Sequence, residues 1–191
     1  MRFSLLSTAI AATLSSVVVA APVARSTTLQ DTVNTLAVLS EKTHKLQAPA
    51  QSITITNGPL IIIGQGPFPP ILTGFTDIIK DVDTFAASYG RAVFDEAGCK
   101  TITEKYTSFV WVNQQLLNIL IGKAGLFTTV PVIGDPVARV LRQLETRYDF
   151  LGFTFVDSCE GKGNVDIASN HKSLGETVAK AIESYEGLFG N

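Results

Sequence analysis

The chain has 191 residues, of which 15 are Lys or Arg and 17 are Asp or Glu. This length is sufficient for one domain with a substantial hydrophobic core. The slight acidic excess and the lack of a run of Lys and Arg argue against nucleic acid as a partner, because a polyanion is bound through a basic stripe. For the same reason, the sequence predicts no attraction to anionic lipid through charge.

The N-terminal segment has the pattern of a secretory signal peptide. Residues 3–19 are uncharged and mostly apolar or small, and Val18 and Ala20 fit the small-x-small rule for cleavage. We predict that residues 1–20 form a signal peptide and that residues 21–191 form a single helical bundle domain. An uncleaved membrane anchor is the alternative, since the apolar run is nearly long enough to span a bilayer. The serines, the alanines and the cleavage site favour export.

Apolar residues recur at spacings of three and four along five segments, which predicts five amphipathic helices. A Thr-x-x-Glu capping box at Thr101 and an Asp-Pro pair at Asp135 are typical helix starts. Gly98, Gly125 and Gly161 follow periodic segments, as left-handed C-caps do. The fold class is therefore predicted to be all-α, a bundle of about five long helices. The predicted helices cover approximately residues 28–47, 71–93, 101–124, 135–159 and 164–185.

A Pro/Gly-rich crossover from Ala48 to Pro70 follows the first predicted helix and cannot be helical throughout. Within it, Ile53–Thr56 alternates like a strand and Leu60–Ile63 is wholly apolar. We expect so long and apolar a connection to fold over the bundle. It serves there either as ordinary packing or as a lid.

The chain has two cysteines, Cys99 and Cys159. An exported chain passes through an oxidising compartment, which favours a disulfide over a metal site. The helix that follows Cys99 and the helix that precedes Cys159 have similar predicted lengths. If they are antiparallel neighbours, both cysteines lie at the same end, so we predict an intramolecular disulfide.

No catalytic or metal-binding motif is present in the sequence. The two histidines, His44 and His171, lie in predicted helices without a nucleophile or a second metal ligand at a suitable spacing, so we interpret them as ordinary surface or boundary residues. The Gly64–Gly66 stretch is followed by prolines where a nucleotide-binding loop needs a helix N-terminus. We therefore predict that the protein is not an enzyme and uses no cofactor or metal.

Two features indicate apolar binding. Asn113 interrupts an apolar stripe, where it either fixes helix register through a hydrogen bond or contacts the polar head of an amphiphile. The connection from Leu126 to Gly134 is unusually apolar for a turn between helices. It either packs under the end of a neighbouring helix or forms an apolar tip or the mouth of a cavity.

We predict a lipid-binding cavity that is lined by the second and third helices and bordered by this connection. The candidate residues are Phe75, Ile78, Val82, Phe85, Asn113, Leu116, Leu120, Phe127, Val132 and Ile133.

Together with the signal peptide, the five-helix pattern and the scarcity of catalytic residues, the stretch from Asn113 to Gly125 gives the chain a family resemblance. It resembles small secreted fungal proteins of the hydrophobic-surface-binding type, which are related to the cell-wall galactomannoproteins. This resemblance implies a helical bundle that adsorbs to hydrophobic surfaces. In some relatives it also implies capture of fatty acids or similar lipids in an internal apolar cavity.

The leading hypothesis is a secreted, non-enzymatic protein that captures a lipid or adsorbs to hydrophobic surfaces, with the cell wall as a further location. The alternative is a secreted interaction factor, an effector or wall component that binds a protein partner. Native lipid that co-purifies with the protein favours the first hypothesis. A lipid-free protein with a saturable protein partner favours the second.

Overall fold

The computed structural model describes residues 27–128, 133–161 and 164–186. They form long helices joined by short connections, and this part of the chain contains no strand. The prediction of an all-α bundle is therefore confirmed. The helices are α1 (Leu29–Gln51), α2 (Phe68–Ser88), α3 (Glu96–Ala124), α4 (Gly134–Ser158) and α5 (Asn164–Glu186).

The predicted signal peptide, residues 1–20, lies outside the described residues, so its cleavage remains a prediction. Among the helices of the described ranges, none is both long and apolar enough to cross a membrane. Each of these helices instead buries one face, and the buried side chains of all five belong to a single hydrophobic core. Amphipathic stripes of this kind account for the assembly of the bundle.

The five helices form a closed ring in which each packs mainly against two others. Around the ring the order is α1, α3, α5, α4, α2 and back to α1. Because packed helix axes lie about 8–10 Å apart, the centre of such a ring is about 7–8 Å from each axis, farther than in a four-helix bundle. Large side chains are therefore needed to fill the interior.

Successive helices alternate in direction. The ion pair of Lys42 with Asp81 and the contact of Leu46 with Gly74 make α1 and α2 antiparallel. In contrast, α1 and α3 are parallel, since the Lys123 ammonium near the end of α3 donates to a carbonyl just beyond the end of α1. The α2–α3 and α4–α5 connections therefore share one end, which we call the disulfide end. The α1–α2 and α3–α4 connections share the opposite end.

The predicted disulfide is confirmed. Cys99 and Cys159 are bonded, their Cα atoms are 5.5 Å apart, and both side chains are fully buried. Nearby, the Phe94 amide donates to the Ser158 carbonyl at 3.0 Å. However, α3 and α4 are not neighbours in the ring. Their side chains meet across the interior, so the two cysteines share an end without the helix pair that the sequence suggested.

The start of α3 differs from the prediction, because a different residue caps the helix. The N-cap of α3 is Asp95, whose carboxylate accepts from the Gly98 amide at 2.8 Å, so Gly98 lies in the first turn and does not end a helix. Inside α3, the Thr101 hydroxyl donates to the Ala97 carbonyl at 3.0 Å and caps nothing. Gly125 is right-handed, whereas Gly161, at φ 72°, is left-handed as predicted.

The crossover after α1 is shorter than predicted. Helix α1 continues through Pro49, where it loses one backbone hydrogen bond, but Ala50 in the same turn is fully buried against the core. Residues 53–56 do not form a strand, since residues 55–57 make a turn, and Gly58–Ile63 is a 3-10 helix. Pro69 and Pro70 lie in the first turn of α2, where a missing N–H is tolerated.

Candidate functional site

The residues predicted to line a cavity converge on the interior of the helix ring. From α2, Phe75, Ile78, Val82 and Phe85 are at most 5% exposed. These side chains come from a helix that is not a ring neighbour of α3. They belong to the single hydrophobic core of the bundle, where the Phe85 ring packs against Phe155 of α4 with centroids 6.2 Å apart.

The remaining apolar candidates are also buried, where the structure describes them. Leu116 and Leu120 of α3 are fully buried, as are Phe127 and Ile133 beside the α3–α4 connection. Val132 lies outside the described residues. The buried candidates thus form part of the core, and their role in lipid binding remains a prediction.

Aromatic rings fill much of the interior. The Tyr106 ring packs against Phe155 across the ring of helices, with centroids 5.6 Å apart, and Phe109 packs against Tyr148 at 5.3 Å. Both pairs join α3 to α4. Because aromatic side chains are the largest apolar ones, they bridge a gap that aliphatic residues on non-adjacent helices would leave open.

Asn113 is the centre of a buried polar cluster. Its Oδ1 accepts from the Tyr148 hydroxyl at 2.5 Å and from the Thr43 hydroxyl at 3.2 Å, and its Nδ2 donates to the Phe109 carbonyl at 2.8 Å. The amide is therefore satisfied by protein groups, in agreement with the first of the two interpretations of Asn113. The cluster ties α1, α3 and α4 together, and it is a polar point in an otherwise apolar interior.

The partners of Asn113 were not identified from the sequence. Thr43 carried a detectable sign, since it stands among Leu36, Leu39 and Leu46 on the buried face of α1. A threonine at such a stripe position predicts a hydrogen bond within the core. Tyr148 was expected in the α4 stripe, but the stripe alone does not indicate which helix its hydroxyl reaches.

At the end opposite the disulfide, aromatic residues close the interior. Phe127 is fully buried and packs edge-on against Phe68 with centroids 4.9 Å apart. It also stacks on Tyr185 at 6.5 Å, and the Tyr185 hydroxyl donates to the Leu120 carbonyl at 2.9 Å. The Phe127 side chain therefore belongs to the inside of the bundle and not to an exposed mouth.

A surface groove lies between α1 and α2 and has a volume of about 460 Å³. This volume is typical of small-molecule sites. Val38 and Phe85 supply its apolar part, while Asp31 and Asp81 place carboxylates along it. Asp81 is paired with Lys42, and Asp31 accepts from Thr28 in the capping box of α1, so both carboxylates already have protein partners. The Phe85 ring also packs on the inner side, against Phe155 of α4.

The histidines do not form a metal site. His44 is exposed, and His171 packs against Gly152 with its Nε2 3.4 Å from Asp149 and its Nδ1 3.5 Å from the Tyr106 hydroxyl. In residues 27–128, 133–161 and 164–186, no group of three or more His, Cys, Asp or Glu side chains is arranged to hold a metal ion. His171 joins α3, α4 and α5 at their packed faces.

Burial favours the neutral form of the four tyrosines of the chain. Burial raises the pKa of Tyr106, Tyr148 and Tyr185 far above the usual value and also raises the pKa of Tyr89. Because the folded-state pKa exceeds that of the unfolded chain, the resulting stability is present below about pH 10 and is lost as the pH rises beyond it.

In an alkaline titration, the ultraviolet absorbance from ionisation of Tyr106, Tyr148 and Tyr185 should therefore rise only together with unfolding, whereas the half-buried Tyr89 is free to ionise earlier. The helical circular dichroism signal reports the unfolding in the same samples. Four tyrosines that ionise near pH 10 in a fully helical protein would contradict this.

Comparisons with known proteins identify a fold but no family. No protein-family model matches the chain, and no curated protein matches it. Among solved structures, the crystal structure of AFMP4P in complex with palmitic acid superposes with a TM-score of 0.71 over 83% of this chain and 99% of that one. The two sequences are 14% identical, so the likeness concerns the fold. This chain thus has the helical fold of AFMP4P.

Proposed function

We propose that this protein is a secreted, non-enzymatic binding protein that holds a fatty acid or a similar single-chain lipid inside its helix ring. The observation that carries the proposal is the shared fold with AFMP4P, whose crystal structure contains palmitic acid. The apolar interior of this chain is consistent with that role, because lipid chains bind in enclosed apolar spaces with few polar groups.

The polar cluster supplies the position for the lipid head group. A carboxylate accepts hydrogen bonds only, and the Tyr148 hydroxyl is a donor that points to the Asn113 oxygen. The single O–H of Thr43 also reaches the Leu39 carbonyl, at the shorter distance of 2.9 Å. A carboxylate oxygen that takes the place of the amide oxygen keeps the Tyr148 donor satisfied. The acyl chain would then run along the α2 and α3 faces and displace side chains such as Phe75 and Leu116 from their present positions.

Replacing Tyr148 with Phe tests this assignment. We expect the affinity for palmitate to fall by about tenfold or more, since a hydrogen bond to a charged group contributes about 1.5–3 kcal/mol. Affinity is measured by titration of the purified protein with palmitate, with methyl palmitate as the uncharged ligand. The affinity for the ester should change less.

Tyr106→Phe is the matched control, because the Tyr106 ring is equally buried but its hydroxyl faces His171 and not the cluster. Equal losses in the two variants would assign the effect to general destabilisation. Unchanged palmitate affinity in a folded Tyr148→Phe protein would remove the cluster from the site.

Secretion and adsorption to hydrophobic surfaces belong to the same proposal. Secretion is supported by the pattern of residues 1–20, and a cell-wall location is supported only by the family resemblance. N-terminal sequencing of the exported protein checks the first point. Recovery of Met1 in that material would contradict cleavage.

A protein partner is the second candidate, and one observation favours it. Trp111 on α3 and Phe153 on α4 are each 61% exposed, and large aromatic residues are over-represented at the energetic centres of protein interfaces. Mass spectrometry of the natively purified protein separates the candidates. Co-purified fatty acid supports the lipid-binding function, whereas a lipid-free protein that binds a partner saturably supports the alternative.

A further inference from the structure

The end of the bundle opposite the disulfide is devoid of charge along its connections. No residue from Leu46 to Thr76 is charged, and none from Ala124 to Gly134 is charged. The 3-10 turns of these two connections pack against each other. The Lys123 ammonium at the end of α3 reaches this end, where it donates to the Ile53 carbonyl at 2.8 Å. In a chain with 32 charged residues, a connection between α1 and α2 without charged side chains is suited to a partner that is itself without net charge.

This end exposes a set of aliphatic side chains. We call Ile55, Leu60, Ile62 and Ile63 the apolar tip; they are 69%, 37%, 63% and 66% exposed. They belong to the connection between α1 and α2, whereas the neighbouring Ile53 is fully buried. Isolated exposed apolar residues are common in soluble proteins, but four of them within residues 55–63 of one connection are a concentration typical of an interaction site.

The backbone that carries the apolar tip is already hydrogen-bonded. The Asn57 side chain accepts from the Thr54 amide and donates to the Ser52 carbonyl, both at 2.7 Å. The Gln65 amide donates to the Leu60 carbonyl at 2.9 Å. Transfer of a peptide group into an apolar environment is unfavourable when the group has no hydrogen-bond partner. Because these groups of the turn already have partners within the protein, the turn can enter such an environment without breaking their hydrogen bonds.

Glycines fix the turn in place. Gly66 has φ +84°, and a Cβ atom there would lie 2.7 Å from the Asn57 carbonyl oxygen. A Cβ atom at Gly58 would lie 2.4 Å from the Phe127 ring. The turn that carries the apolar tip therefore has a backbone shape that requires glycine at Gly66, and its Gly58 lies directly against the Phe127 ring.

We infer that the apolar tip docks on the surface of a lipid assembly without net charge and inserts Ile55, Ile62 and Ile63 at the boundary between head groups and acyl chains. A surface region without charge is compatible with a zwitterionic lipid surface, and it lacks the basic side chains that would attract an anionic one. A fluid lipid surface also accommodates the turn without a complementary pocket. The inference rests on the proposed function, because a lipid taken from this surface would enter beside Phe127.

The test uses flotation of the purified protein with vesicles of phosphatidylcholine. The variant Ile62→Ser/Ile63→Ser removes two of the four apolar side chains of the tip, and the control Val93→Ser/Val165→Ser removes two valines that are 76% and 75% exposed elsewhere on the chain. We expect the tip variant to partition onto vesicles at least about tenfold less than the unmodified protein, and the control to partition equally. Since all three proteins share one N-terminus, the difference reports on the tip.

Added phosphatidylserine or salt should leave the partitioning unchanged. Partitioning that depends on anionic lipid, or that is equal in the tip variant and the unmodified protein, would overturn the inference. So would a dimer in sedimentation that the tip substitutions dissociate, because a second copy would then be the occupant.

Palmitate titration in vesicle-free solution separates this inference from the proposed function. The tip variant should bind palmitate as tightly as the unmodified protein. Palmitate binding without vesicle binding defeats the docking inference alone. Vesicle binding without palmitate binding defeats the proposed function and leaves the tip as a membrane-docking surface.

Discussion

Replacing Phe127 with Asp is expected to lower the free energy of unfolding by at least about 4 kcal/mol. Phe127 is fully buried between Phe68 and Tyr185, and Gly58 packs directly on its ring. The substitution removes these contacts. It also places a carboxyl group in the apolar core, where burial of an unpaired charge is unfavourable. The melting temperature should fall by about 10 °C or more.

The matched control is Trp111→Asp, since Trp111 is 61% exposed and its neighbours one helical turn away, Thr107 and Gln115, are uncharged. That change should alter the free energy of unfolding by no more than about 0.5 kcal/mol. If Phe127→Asp does not accumulate as folded protein, urea unfolding of Phe127→Leu replaces it and should show a smaller loss of the same sign. A Phe127→Asp protein that melts like the unmodified one would contradict the buried position and restore Phe127 to an exposed mouth.

Removing the disulfide is the second change with a large expected effect. The bond between Cys99 and Cys159 closes a loop of 60 residues, and the chain-entropy relation assigns about 4 kcal/mol of stability to a loop of that length. The double variant Cys99→Ala/Cys159→Ala should therefore melt about 8–16 °C below the unmodified protein.

Thermal melts with and without reductant provide the internal control. Reductant should lower the melting temperature of the unmodified protein towards that of the double variant and leave the variant itself unchanged. A double variant that loses less than about 1 kcal/mol would mean that the hydrogen bond from Phe94 to Ser158 and the surrounding core hold this end of the bundle without the bond.

The buried faces of the helices were predictable from the sequence because one period dominates each segment. Ile78, Val82 and Phe85 recur at spacings of four and three, and all are buried. The boundaries were less predictable, because competing caps resemble one another. Asp95 caps α3 although Thr101 and Glu104 match the capping-box pattern, and no local rule ranks a cap by the tertiary contacts that follow it.

The order of the helices around the ring was not predictable from the stripes. A stripe identifies the face that is buried but not the helix that covers it. The sequence therefore suggested α3 and α4 as a packed pair, whereas their side chains meet only across the interior through contacts such as Phe109 with Tyr148. The cysteines still share an end, because alternation of helix direction alone brings Cys99 and Cys159 together.

The residues of the candidate site were predictable from the sequence, but the hydrogen-bond partners of Asn113 and the burial of Phe127 were not. The unusual position of Asn113 in an apolar stripe was visible, while its bonds to Thr43 and Tyr148 depend on three helices that are distant in sequence. The apolar connection after α3 was interpreted as exposed or as packed, and Phe127 is packed. The exposed aliphatic residues lie in the other connection, at Ile62 and Ile63.

Native mass spectrometry of the unmodified protein after incubation with palmitate tests lipid binding most directly. AFMP4P, whose crystal structure contains palmitic acid, serves as the positive control under the same conditions. The proposed function predicts a complex with one palmitate per chain that survives transfer to the gas phase. Palmitate bound to AFMP4P but not to this folded protein would contradict the proposed function.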